Sequence, residues 1–472
     1  MRDVKRVFIS AADVKRVSIS AQVAAVAVAL VLAMGVAAST REARAQSGVQ
    51  PKPNAGGAGK VSASADASKT NEARVLYEEA AQYAQRKFDE FRTAEIPFDR
   101  TLEQKTLQEQ KDLALQNVAR LAARGPLGGT DLYYAGLLYA LAGKSEGALD
   151  AMRRFVADAG GAPADLRQRA RSVSVQQAAQ LGLTEEAELA LAAYAHDEPR
   201  TKADLQRMNL VLANAYLKKK DFARAAPHAA DAYAAALESA RASAANPQQR
   251  DATIYSSGAF YASALVRAGR RAEAVRVIQE MRARAVALPS ARLYGQATEL
   301  LLEQGEDYSA PPPLAGVEPA ASPEIRVAEW IGQEPVRLAD LRGRVVLLDF
   351  WATWCTYCVK TMPRLNALHQ KYKDRGLVIL GLNEFEGNVE GHDATHAQEL
   401  EYFRRFKRRM NVAYGFGVAD NGDTSSSYGV SGLPTAVLID RRGRTRFITI
   451  GAGEEEAAAL KKMILQLLDE AK

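Results

Sequence analysis

The sequence predicts a multidomain chain, an α-helical repeat array followed by an α/β domain with a mixed sheet. Three observations carry this. Residues 73–304 are rich in Ala, Leu, Arg and Glu at helical spacing and poor in β-branched runs. From residue 323 onward, short apolar runs alternate with helical segments and end in a hairpin. Between them, residues 305–322 hold Pro311, Pro312 and Pro313 and read as a stiff linker.

The elements follow in chain order. Basic residues Arg2, Lys5, Arg6, Lys15 and Arg16 precede an unbroken apolar run of 16 residues, Val23 to Ala38, and then the small-x-small triplet Ala43-Arg44-Ala45. This is the pattern of a signal peptide or an N-terminal membrane anchor over residues 1–45, with residues 19–38 as the anchoring part. The run is short beside the roughly 20 apolar residues that a spanning helix needs. Both outcomes send the body of the chain across a membrane, into a bacterial periplasm or the medium. The membrane is a partner only where the segment stays uncleaved. Residues 46–72, rich in Gly, Ala and Ser, read as a flexible tether.

Of the formal charge of +6, residues 1–45 hold +4, from seven Lys/Arg against three Asp/Glu. The remainder is close to neutral and shows no interleaved basic and aromatic pattern, which excludes a nucleic-acid partner. The run Arg404 to Arg409, "RRFKRR", reads as a solvated helix face.

Within 73–304 one signal recurs: a helix, a short turn, then a small Ala five residues on. Gly143 leads to Ala148, Gly182 to Ala187, Lys220 to Ala225 and Gly269 to Ala274, at intervals of 39, 38 and 49 residues. A small residue there lets antiparallel helices approach closely, and stacked pairs bury a continuous core. The region resembles the tetratricopeptide repeat family, most clearly in "LVLANAYLKKKDFARAAPHAADAY" from Leu210, although its intervals depart from that family's period. The resemblance implies docking of protein partners. An irregular array of helical hairpins with no peptide groove is the plainer alternative. Tyr133, Tyr134, Tyr216 and Tyr261 read as core or turn packing.

The last third predicts a three-layer α/β sandwich. "RVVLLDFWA" and "LVILGLN" are buried strands, and "CVKTMPRLNALHQKY" and "HAQELEYFRRFKRRM" are helices. "TAVLIDRRGRTRFITI" gives two strands turning at Arg442-Gly443, and an amphipathic helix closes the chain.

Cys355 and Cys358 are the only cysteines in the chain. A structural staple between them would close too short a loop to restrict the unfolded chain. A zinc site needs further ligands, and there is no second CxxC and no HxxxH pair outside a polar stretch. His392 and His396 lie in that stretch, among Gly391, Asp393 and Thr395, and read as solvated surface residues, so no metal is expected. Elimination leaves a redox pair in an exported chain, where thiols meet oxidising surroundings.

Several pieces in one order, "LADLRGRVVLLDFWATWCTYC", "MPRL", "YGVSGLPTAVLID" and the glycines before the last helix, resemble the thioredoxin superfamily. Within it they are similar to the TlpA/ResA-like exported thiol-disulfide oxidoreductases, over residues 323–472. The resemblance implies a thioredoxin fold with Cys355 as the nucleophile and Cys358 as the resolving thiol. The start of a helix is a suitable place for a thiolate, because unpaired N–H groups and the helix dipole favour it. Cys358 one turn on is within disulfide reach.

Asp349 matches the buried acid of thioredoxins and is the expected proton acceptor. Its apolar neighbours Leu347, Leu348 and Phe350 should desolvate it and raise its pKa. Trp354 is expected to cover the disulfide and Trp351 to pack. Leu433-Pro434-Thr435 resembles the cis-proline loop that pairs with substrate peptide, and Pro363 fits the family's helix proline. Thr356, Tyr357 and Thr361 depart from the pattern; at Thr361 the TlpA/ResA-like proteins usually carry an acid.

The family implies protein thiols and disulfides as substrates, a membrane electron carrier as the source of electrons, and no cofactor beyond the Cys355–Cys358 pair. Two other readings stand beside a disulfide reductase. One is a repeat scaffold with a passive thioredoxin-like module. The other is a thiol peroxidase, which wants a Pro-x-x-x-Thr-x-x-Cys loop that the residues before Cys355 do not supply.

Overall fold

A computed structural model describes residues 62–97, 99–158, 162–242, 246–312 and 319–470. The export segment, residues 46–61 of the tether and residues 313–318 of the proline-rich stretch lie outside them. Among the described residues no helix is long and apolar enough to cross a membrane. The chain divides into two compact units, Met1–Ser239 and Ala240–Lys472.

The described part of the first unit is helical. It opens with α1 (Ser62–Ala81), which starts inside the segment expected as tether, then α2 (Tyr83–Thr93), α3 (Arg100–Ala122) and α4 (Gly129–Leu141). α5 (Ser145–Ala157), α6 (Ala164–Gln180), α7 (Thr184–His196) and α8 (Lys202–Lys218) follow, and α9 (Phe222–Ala242) runs across the boundary. α4 packs on α5, α5 on α6 and α6 on α7.

The turn-plus-alanine signal explains this order. Gly143, Gly182 and Lys220 take φ of 72°, 75° and 60°. The residue after each donates its N–H back to Tyr139, Ala178 or Tyr216, a Schellman ending that stops the helix. Ala148, Ala187 and Ala225 are fully buried, so a longer side chain there would push neighbouring helices apart. Lys220 stands where glycine is the unstrained choice, at a cost of roughly 1–2 kcal/mol.

The second unit begins with α10 (Pro247–Arg267), α11 (Arg271–Ala287) and α12 (Ala291–Glu303). The strand β1 (Glu329–Ile331) leads to β2 (Val345–Phe350), α13 (Thr356–Tyr372) and β3 (Leu377–Glu384). A two-strand excursion, β4 (Asn388–Val389) and β5 (His392–Asp393), precedes α14 (His396–Arg409) and β6 (Gly415–Ala419). The chain ends through α15 (Asp423–Ser427), β7 (Thr435–Ile439), β8 (Thr445–Ile450) and α16 (Glu454–Asp469).

Six strands form one mixed sheet in the order β1-β6-β3-β2-β7-β8. β3 lies parallel to β2 and to β6, whereas β7 is antiparallel to both β2 and β8. The expected strands, the hairpin at Arg442-Gly443 and the three helices are all present. β1 and β6 are additional to the expected strands: "EWI" is only three residues long, and "GFGVA" is interrupted by two glycines. Its glycines serve packing instead: a Cβ on Gly417 would lie 2.9 Å from Val327 Cγ2.

Every residue of β2 is buried, as its run of apolar residues requires of a central strand. β8 is an edge strand, and α11 and α12 pack against it. The Tyr294 ring meets Phe447 edge-on at 6.4 Å. Beneath that contact, Arg282 is fully buried. Its guanidinium donates to Thr298 Oγ1 at 3.0 Å, the Tyr294 hydroxyl at 2.7 Å and the Ser309 carbonyl at 2.6 Å. It also lies 4.9 Å above the Tyr294 ring. The start of the proline-rich stretch is therefore tied back onto α11 and α12.

Candidate active site

β2 delivers the chain to the site. After Phe350, Trp351 turns into the core, its ring 4.7 Å from Phe416 and 5.3 Å from Phe406, so it packs as expected. Four residues later Cys355 caps α13, and its Sγ accepts the Cys358 N–H at 3.2 Å. The two sulfurs form a disulfide with a Cα–Cα distance of 5.2 Å. Cys355 is only 6% exposed and Cys358 1%. Cys355 is thus covered in the oxidised protein although it stands at the head of a helix. α13 has no acidic residue in its first turn, which leaves the dipole free to favour a thiolate. Thr361 at the departing position donates its hydroxyl to the Cys358 carbonyl at 2.8 Å. Pro363 lies inside α13.

Asp349 is the fifth residue of β2, in register with Gly381 of β3 and Ala436 of β7. It is 2% exposed, and burial pushes its carboxyl up to about 7. Its Oδ2 has no hydrogen-bond partner among the described residues. A cleft of about 490 Å³ reaches it from between α13 and α16, lined also by Thr361, Leu365, Pro434, Ala436 and Lys461. A buried acid of this kind holds a proton near neutral pH and has a route by which to exchange it.

The Leu433–Pro434 bond is cis. Leu433 is half-buried, Ser431 and Gly432 are exposed, and Pro434 is buried. Thr435, expected with the other two on the loop, is buried and donates its hydroxyl to the Gly432 carbonyl at 2.7 Å. It stands behind the loop as the first residue of β7.

Trp354 and Tyr357 are each 64% exposed and flank Cys355 in sequence. Trp354 does not lie free. Its indole N–H donates to both carboxylate oxygens of Glu386, at 2.6 and 2.8 Å. Glu386 is placed in turn by Glu399 of α14, 1% exposed, whose carboxylate accepts the Glu386 and Gly387 N–H groups at 2.8 and 3.0 Å. Neither acid stands out in the sequence, because both reach the site through a loop that only the fold closes. Glu386→Ala should release the ring, a loss of about 1 kcal/mol in placement. The Trp354 indole proton would then shift in an NMR spectrum, whereas Glu386→Gln, which keeps an acceptor oxygen, should leave it in place.

His392 is exposed at the tip of the excursion. The His396 ring stacks on Phe385 at 4.0 Å.

The AhpC/TSA family model matches residues 320–448. The thiol-disulfide oxidoreductase ResA of Bacillus thuringiensis subsp. konkukian is 31% identical over 123 residues, which cover 26% of this chain and 64% of that relative. ResA of Geobacillus thermodenitrificans is 32% identical over 139 residues, 29% of this chain and 71% of the relative. The chain belongs to the ResA thiol-disulfide oxidoreductases. The AhpC/TSA match lies in the second unit, where the sheet, the disulfide and Asp349 are. The chain spans about two thirds of the length of the ResA proteins it matches. Among solved structures, a thiol-disulfide isomerase from Corynebacterium glutamicum is 24% identical, with 32% of this chain and 98% of that chain covered and a TM-score of 0.28.

Proposed function

We propose that the protein is an exported thiol-disulfide oxidoreductase that reduces disulfides in other exported proteins. The observation that carries this reading is the Cys355–Cys358 disulfide at the head of α13, in the same fold as the buried, cleft-connected Asp349. In the reduced protein the Cys355 thiolate attacks a substrate disulfide, forms a mixed disulfide and expels one substrate thiolate, which takes up a proton. Cys358 then loses its proton to Asp349, attacks Cys355 Sγ and expels the second substrate thiol. Two electrons leave the protein dithiol, and one disulfide is exchanged for another.

Leu433 supplies the backbone against which an extended substrate lies, and Trp354 the apolar rim. A membrane electron carrier or another dithiol restores the pair. The run Val23 to Ala38 supports export, and the helical first unit supports docking of protein partners.

Insulin reduction with dithiothreitol as electron source tests the reading. Wild type should accelerate precipitation of the insulin B chain, and Cys355→Ser should fall to the reagent background. Equal rates for the two proteins would overturn it.

A further inference from the structure

The helix α12 precedes the ResA-like segment in sequence, yet its first turn reaches the loop that carries Leu433. The first N–H groups of a helix have no partner within it. Here two of them find one in the loop: Ala291 N–H donates to the Tyr428 carbonyl and Arg292 N–H to the Gly429 carbonyl, each at 2.8 Å.

Both sides of the contact are fixed. Ser290, the residue that caps α12, is 1% exposed and accepts the Leu293 N–H at 3.2 Å. Its hydroxyl bonds the buried Asp251 carboxylate of α10, which Arg250 pairs at 2.8 Å. On the loop side Gly429 takes φ of +60°, and a Cβ there would lie 3.1 Å from Ser290 Oγ. Tyr428 is fully buried, with its ring 5.6 Å from Phe350 at the end of β2.

From Gly429 the chain needs four residues to reach Leu433. That span is held at one end by α12 and at the other by β7, where Thr435 pairs with Phe350. Within it Val430 N–H donates to Ser425 at 2.9 Å, while among the described residues no backbone group bonds Leu433. The bridge is also tied at Val430 and, through the Thr435 hydroxyl, at Gly432, so Leu433 takes its position from the segments on either side of it.

We propose that the first turn of α12 sets the position of the substrate-facing loop, with Ser290 and Gly429 as positioning residues, so that substrate affinity depends on a helix outside the thioredoxin-like segment. This rests on the disulfide-reductase reading above. Neither residue touches the sulfurs. Both act through the placement of Leu433, and a displacement of about 1 Å at a substrate contact is enough to weaken the reaction strongly.

Two variants test it from opposite sides. Gly429→Ala brings a Cβ against Ser290, and Ser290→Ala removes the hydroxyl that caps α12 and bonds Asp251. Insulin reduction is measured over a range of insulin concentrations, beside reduction of a small aromatic disulfide that needs no extended contact. Each variant should raise KM for insulin roughly tenfold with kcat within about twofold of wild type. KM within twofold of wild type in Ser290→Ala, which disturbs a single cap, would overturn the proposal even if Gly429→Ala failed to fold. So would a fall in kcat with KM unchanged, the sign of general destabilisation. A wild type inactive toward both disulfides would instead sink the reductase reading itself, which keeps the two failures apart.

Discussion

Asp349→Asn should make the oxidised protein more stable at pH 8 and slow its turnover. The carboxyl is held at about 7 in the folded protein against an ordinary value of 3.8. Between those values the folded state keeps a proton that the unfolded state has released, so stability falls as pH rises. Below about pH 4 both states are protonated and the penalty is absent; above about pH 7 it is complete. A difference of about three units corresponds to at most about 4 kcal/mol, the scale of the gain expected for the neutral amide at pH 8. Urea unfolding of both oxidised proteins at pH 4 and pH 8 checks this: the gap should open with pH.

The same substitution removes the carboxylate proposed as the base for Cys358. Resolution of the mixed disulfide should slow by roughly a hundredfold near pH 7.5. Its rate should then follow pH through the thiol alone, without the rise near pH 7 expected of wild type. A variant that is both less stable at pH 8 and unimpaired would contradict both halves.

The second large effect belongs to Arg282→Met, far from the sulfurs. The side chain is of similar length, but the Tyr294 hydroxyl, Thr298 and the Ser309 carbonyl lose a buried donor together. Unsatisfied buried polar groups cost about 1–3 kcal/mol each before relaxation, so a loss of about 2–4 kcal/mol is expected. Arg282→Lys should recover little of it, because an ammonium cannot reach partners arranged around a planar fork. Equilibrium urea unfolding of the oxidised protein gives the number, and an unchanged midpoint would mean that water replaces the guanidinium.

The parts of the fold that sequence revealed were those with local causes. The apolar run that opens β2 announces a central strand, and the turn residues Gly143, Gly182 and Lys220 announce themselves by their spacing to buried alanines. The cysteine pair and Asp349 were legible because their places depend on one strand and the helix after it. What stayed hidden depends on closure. β6 carries glycines that only neighbouring strands explain. Glu386 meets Trp354 across 32 residues, and Glu399 does its work 13 residues from the loop it holds. α12 looks like the helices before it, and nothing in "SARLYGQATELLLE" tells that its first amides face Tyr428 and Gly429. The proline-rich stretch reads as a spacer from composition, yet Arg282 fastens its beginning, since a carbonyl of that stretch satisfies a buried charge.

The excursion through β4 and β5 leaves and re-enters the domain almost at one point. Ala394 N–H donates to the Gly387 carbonyl at 2.9 Å, and Glu399 grips the entrance from beneath. Its far end turns at Glu390 and Gly391, with φ of 53° and 90°, in solvent. A stem pinched in this way closes the excursion independently of what its tip carries. Length added at the tip should therefore leave the stem closed and Trp354 in place. The domain thus offers, beside the candidate site, an exposed tip onto which new recognition or an affinity handle can be grafted.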